Sequence, residues 1–204
     1  KNISNTPLHW GQGVRTDEKN RPLGSIEAQK NYHKYNADFL AEEFPIVYLT
    51  MDEGYENGYT SKILDVLKQK QCPAVFFVTM DYVKQNPQLV RRMIDEGHVV
   101  GNHSTTHPAK GLPSQSIDVQ AKEVMELHNY VKTTVDYDMY LFRYPAGIYS
   151  EQSLALLQQL GYRSVFWSFA YRDWITNQQP IPSKALQQVT QKLHPGAIYL
   201  LHAV

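Results

Sequence analysis

Pro45-Ile46-Val47-Tyr48-Leu49-Thr50-Met51-Asp52-Glu53-Gly54 opens on a short apolar run and closes on two adjacent carboxylates and a glycine. An apolar run of this length, ended by a turn residue, reads as a buried strand over Ile46 to Leu49. Past the turn, Thr60 stands as a cap before Ile63, Leu64 and Leu67, which recur at helical spacing. Ala74 to Val78 reads as a second strand. Neighbouring parallel strands need a helical crossover, so strand, helix and strand in so short a span predict a parallel sheet.

The same alternation continues outward. Asn86-Pro87 opens a helix as cap and first-turn proline, and Gly97 closes it before a short strand at Val99-Val100. A long helix is expected from Ser116 to Lys132 and a short strand from Tyr140 to Phe142. Ser150 caps a helix that ends at Gly161, and Val165 to Phe169 reads as one strand. Ser183 opens a last helix, Gly196 breaks it, and Ala197 to Leu201 is the final strand. The expected class is therefore α/β, with about six to seven parallel strands and outer helices, wound into a barrel or left open. No helix follows the final strand, so a last helical segment is expected to be missing from this chain. Residues 1–45 read differently from the rest, with Gly11 to Gly24 polar, turn-rich and without a sustained period, and are expected to form an arm packing on a domain of residues 46–204.

With 204 residues the chain suits one domain, and 20 Lys plus Arg balance 20 Asp plus Glu. That balance removes any electrostatic reason to expect nucleic acid or an anionic membrane as partner. No stretch is long and apolar enough to span a bilayer. A lone cysteine, Cys72, excludes an internal disulfide and reads as an inert thiol. Neither a Gly-x-Ser-x-Gly elbow nor a phosphate-binding glycine loop is present, which leaves metal-assisted hydrolysis with acid and base side chains.

Polar clusters fall at the expected C-terminal ends of strands, where β/α architectures collect functional groups. Asp52 and Glu53 follow the first strand. Asn102-His103-Ser104-Thr105-Thr106-His107 follows the third, and two imidazoles with one carboxylate make a three-ligand site with open positions. Arg143-Tyr144-Pro145-Ala146-Gly147 follows the fourth, where an arginine can orient a carboxylate and a backbone N–H can face an oxyanion. Tyr171-Arg172-Asp173-Trp174 follows the fifth, and His202 closes the sixth, suited to act as a general acid tuned by Asp173. The other histidines, His9, His33, His98, His128 and His194, read as structural or surface residues.

In this order the clusters resemble the five motifs of the polysaccharide deacetylases of carbohydrate esterase family four, the NodB-type domain, over residues 46–204. The resemblance implies a distorted β/α-barrel and an N-deacetylase. It implies Asp52 as catalytic base, Arg143 as its orienting partner, Asp173 as the carboxylate tuning the acid, and His202 as that acid. It further implies a divalent metal, zinc foremost, on His103, His107 and Glu53, with Tyr144, Ala146, Trp174 and Leu200 lining the substrate groove. The sequence departs from the family at Glu53, where aspartate is usual, at Ala146, where tyrosine is usual, and at Met51, where phenylalanine is usual. Gly54-Tyr55-Glu56-Asn57-Gly58-Tyr59-Thr60, His194 to His202 and Trp10-Gly11 are similar to the N-acetylmuramic acid deacetylases of spore-forming Gram-positive bacteria. That branch implies peptidoglycan glycan strands as partner, muramic δ-lactam formation, a monomer, and a place outside the cytoplasmic membrane in wall or cortex. An N-acetylglucosamine or chitooligosaccharide deacetylase and a non-catalytic carbohydrate-binding member of the fold are the alternatives.

Overall fold

The computed structural model describes residues 3–204; Lys1 and Asn2, the start of the expected arm, lie outside the described residues. In chain order the strands are β1 (Leu8–His9), β2 (Ala37–Asp38), β3 (Val47–Glu53), β4 (Val75–Val78), β5 (Val99–Asn102), β6 (Leu141–Phe142), β7 (Ile148–Tyr149), β8 (Arg163–Val165), β9 (Phe169–Ala170) and β10 (Ala197–Leu201). The helices are α1 (Leu23–Tyr32), α2 (Thr60–Gln69), α3 (Met80–Gln85), α4 (Pro87–Asp95), α5 (Ile117–Val135), α6 (Glu151–Gln159) and α7 (Pro182–Gln191). Eight strands form one parallel sheet in the order β2-β8-β6-β5-β4-β3-β10-β9, curled into a half-barrel with helices outside, as the alternation requires. β1 and β7 form a small antiparallel pair beside it.

Of the expected caps, Thr60 lies inside α2 behind Tyr59, Asn86 makes no side-chain cap bond, and Ser183 lies inside α7, which opens at Pro182. Ser150 and Ser153 form a reciprocal capping box at α6, and Pro87 opens α4. One expected strand is corrected as well. The apolar run Val165 to Phe169 is not one strand: β8 pairs with β6 and β2, whereas β9 pairs with β10 at the far edge. Between them Phe166 leaves the sheet to stack on Phe39 at 4.1 Å and Tyr144 at 5.4 Å. The segment expected to form an arm carries α1. Its buried residues are Ser25 and Ala28, so it carries no apolar stripe for periodicity to detect. The same segment supplies β2, an edge strand of the main sheet, and Phe39, fully buried in the core.

Strand alternation decides which side chains reach which layer. On β3, Tyr48 and Thr50 line the barrel interior, whereas Leu49 and Met51 line a depression on the opposite face beside α2. On β4, Phe77 packs inward with Val165 and Ile198, while Phe76 and Val78 join the larger core under the helices.

Candidate active site

At the C-terminal end of the strands lies a cleft of about 430 Å³, lined by Asp52, His103, His107, Trp174 and His202 among others. Asp52 comes from the end of β3 and His202 from just beyond β10, its hydrogen-bonded neighbour. Residues 150 apart in sequence therefore meet because their strands are adjacent and parallel.

Asp52 is held by Arg143, which donates from Nη1 to its Oδ1 at 3.0 Å. The guanidinium is itself fully buried and fixed by further bonds to Thr50 Oγ1, Val165 O and Phe166 O, with the Phe77 ring 4.4 Å away. Burial pushes the Asp52 carboxyl up, but the positive charges of Arg143, His103 and His202 outweigh it and hold the group below its ordinary value. His103 Nδ1 lies 2.8 Å from the Arg143 carbonyl, which can only accept, so Nδ1 carries the proton. Its Nε2 is left with a lone pair, 3.6 Å from Asp52 Oδ2. Burial lowers the His103 pKa to about 4, so this imidazole is neutral at pH 7. The His107 ring stands 4.8 Å from that of His103.

His202 donates from Nδ1 to Asp173 Oδ1 at 2.8 Å, and its backbone N–H donates to Asp173 Oδ2 at 2.9 Å. This pair fixes the ring, leaving Nε2 for the cleft. Burial alone would lower the His202 pKa; the bond to Asp173 and the nearby Asp52 charge raise it above its ordinary value. The Trp174 ring packs edge-on to His202 at 5.8 Å and is half exposed at the rim.

Six expected site residues are not at the cleft surface: Arg143 and Asp173 are buried behind Asp52 and His202, and Glu53, Tyr144, Leu200 and Ala146 lie elsewhere. Glu53 is the covalent neighbour of Asp52 on a strand, so its side chain leaves by the opposite face. It is buried against Glu56 and Tyr82, with Oε1 lacking any hydrogen-bond partner among the described residues. Tyr144 is buried and stacked on Phe166, a core residue and not a groove residue. Leu200 is buried on β10. Ala146 is exposed outside the cleft lining, in a left-handed bend at φ 53°. Among the described residues no group of three His, Cys, Asp or Glu is set to hold a metal ion. His103 and His107 fit such a role; the expected third ligand does not.

Sequence reasoning missed Tyr55, Asp81, Thr105 and Thr106, which also line the cleft. Asp81 follows the end of β4, so the rule that found the other clusters was available for it. The histidines read as structural are bonded accordingly: His98 Nδ1 accepts from Ala74 N–H, and His194 Nε2 meets Ser168 Oγ at 2.7 Å.

A parallel half-barrel whose strand ends present one restrained carboxylate and one restrained imidazole to a shared cleft has the geometry that hydrolysis by general acid and base needs. A polysaccharide deacetylase family model matches residues 41–165, and the chain belongs to that family. It is 41% identical over 204 residues to the peptidoglycan-N-acetylmuramic acid deacetylase PdaA of Bacillus subtilis, across 99% of this chain and 76% of that protein. The solved structure of that PdaA, a family 4 carbohydrate esterase, matches with TM-score 0.91 at 40% identity, covering 99% of this chain and 86% of the other. A chitooligosaccharide deacetylase of Sinorhizobium fredii is 36% identical over 159 residues, 78% of this chain and 72% of its own length.

Proposed function

We propose that the chain hydrolyses the N-acetyl group of peptidoglycan amino sugars, with N-acetylmuramic acid as the residue attacked and muramic δ-lactam formation as its use. The observation that carries this is the convergence of Asp52 and His202 on one cleft, each with its own buried partner. The 41% identity to a peptidoglycan-N-acetylmuramic acid deacetylase supports the substrate. Cell-wall glycan as substrate places the protein outside the cytoplasmic membrane, and no helix among the described residues is long and apolar enough to cross one.

Asp52, ionised and held by Arg143, takes a proton from a water molecule as that water attacks the amide carbonyl. The resulting tetrahedral centre collapses by breaking the C–N bond. His202, charged below its raised pKa, delivers the Nε2 proton to the departing nitrogen. The products are acetate and the free amine. His103, itself neutral, and His107 stand at the floor, and Trp174 offers a flat face for a sugar ring at the rim. A divalent cation, zinc by the family resemblance, would sit on those two imidazoles without Glu53.

The experiment treats peptidoglycan glycan strands with and without their stem peptides and follows acetate release by mass spectrometry. Acetate is expected from muramic residues lacking their peptide, and Asp52→Asn is expected to lower the rate by at least about 10²-fold with the melting curve unchanged. Acetate lost only from glucosamine residues would replace the substrate. Full activity in Asp52→Asn would end the proposed mechanism.

A further inference from the structure

Glu123 stands on the core-facing stripe of α5, among Gln120, Val124, Leu127 and Val131, and is buried. A carboxylate in that position requires compensating donors. It finds them in one place. Its Oε2 accepts from Thr106 N–H at 2.8 Å and its Oε1 from the Thr106 hydroxyl at 2.6 Å. Its own carbonyl accepts from the Thr105 N–H and hydroxyl, each at 2.9 Å. All four bonds reach the two residues midway between His103 and His107.

The loop they hold is under conformational strain. Ser104 and His107 both adopt left-handed backbone, at φ 71° and 50°, a region that side-chain-bearing residues enter only when the surroundings enforce it. Inside the loop, Asn102 Oδ1 accepts from Ser104 N–H at 2.9 Å, and Ser104 Oγ from His107 N–H at 3.0 Å. Those bonds shape each bend; among the described residues Glu123 is what ties the middle of the loop to a helix, by its carboxylate to Thr106 and its main-chain carbonyl to Thr105.

We infer that Glu123 is a positioning residue for the deacetylation reaction: its carboxylate fixes the loop that sets the His107 ring beside His103 at the cleft floor. The inference rests on the hydrolytic reading of the site. The carboxylate touches neither substrate nor reacting atoms and acts only through Thr106, because the Thr105 bonds go to the Glu123 main-chain carbonyl. Glutamine at this position can still accept from Thr106 N–H and donate to its hydroxyl, whereas alanine can do neither.

The test compares Glu123→Ala, Glu123→Gln and Thr106→Val in the full chain. Steady-state acetate release is measured alongside histidine ring NMR signals and thermal melting. Glu123→Ala is expected to lower kcat by about 10- to 100-fold, the loss typical of removing a supporting partner, with KM within about twofold. The ring signals of His103 and His107 are expected to move while those of His9 and His33 stay. Glu123→Gln is expected to recover most of the rate and the native ring signals. Thr106→Val, which removes only the hydroxyl donor, is expected to shift the His107 signal in the same direction and serves if Glu123→Ala does not fold. Native His103 and His107 signals in whichever of these two variants folds would overturn the inference, as would a rate loss no larger than the loss of folded protein. If the native chain releases no acetate, the functional reading fails, and the ring signals still decide whether Glu123 positions the loop.

Discussion

On β3 the peptide between Asp52 and Glu53 sends one carboxylate into the cleft and the other into packing beside α2. Burial is the largest influence on Glu53, and the charges of Glu56 and Asp52 add to it, holding its pKa well above the ordinary 4.5. A folded-state pKa above the unfolded one means stability is full below about 4.5 and falls as pH rises towards the folded value. Glu53→Gln removes that loss. It is expected to raise Tm by about 2–4 °C at pH 7, equivalent to about 1 kcal/mol in a chain of this size, with no gain near pH 4. Titration calorimetry with zinc is expected to give the same affinity in this variant as in the native chain. A lower Tm or a weakened affinity would return Glu53 to the cleft. His202 poses the opposite case, a group kept charged to higher pH by Asp173. The alkaline limb of kcat therefore lies above the ordinary histidine value of 6.5. Asp173→Asn removes the charge and one of the two acceptor oxygens, so that limb moves to lower pH and kcat at pH 7 falls by about 10²-fold. A pH–rate profile that drops without shifting would assign Asp173 a purely structural part.

At the scale of elements, what the sequence made legible was whatever one strand or helix carries by itself. β3, β4 and β10 are short apolar runs ended by turns, and α4 and α6 announce their starts with Pro87 and Ser150. Placing Asp52 and His202 at strand ends then followed from the β/α rule alone. What stayed hidden depends on partners distant in sequence. The run Val165 to Phe169 contains the ends of two strands that lie in opposite halves of the sheet, and no local pattern records which neighbours a strand joins. α1 packs through Ser25 and Ala28, with Gly24 so near Gln12 O that an added Cβ would lie 2.8 Å from it. Small residues make such contacts without an apolar period. Ending the first strand at Leu49 also obscured Glu53: β3 runs on to Glu53, and a period of two separates adjacent carboxylates by construction. Glu123 was invisible for a related reason, since a lone acid within a helical stripe gains meaning only when Thr105 and Thr106 arrive from another segment.

The whole molecule ties its leading segment to the catalytic floor. Trp10 donates from its indole N–H to Trp167 O at 2.9 Å and from its backbone N–H to Gly147 O at 3.0 Å, with its ring 4.6 Å from Phe39. The Trp167 ring in turn lies 5.8 Å from the Arg143 guanidinium that holds Asp52. On the other side Ala41 N–H donates to Gly196 O at 2.9 Å, and a Cβ on Gly196 would meet Ala41 O at 2.5 Å, so the segment before β3 seats the start of β10. Contacts this dense leave no boundary across which residues 3–45 could melt alone. Calorimetry is expected to give one transition with equal calorimetric and van't Hoff enthalpies. Trp10→Ala, which empties a partly buried aromatic site, is expected to cost about 3 kcal/mol, or about 6–12 °C in Tm. Its effect on the rate should follow from Arg143: loosening Trp167 lets the guanidinium shift and slackens its hold on Asp52, so kcat should fall even well below the melting point. Two separate transitions, or a destabilised variant with native kcat at low temperature, would show that the leading segment braces the barrel without reaching its chemistry.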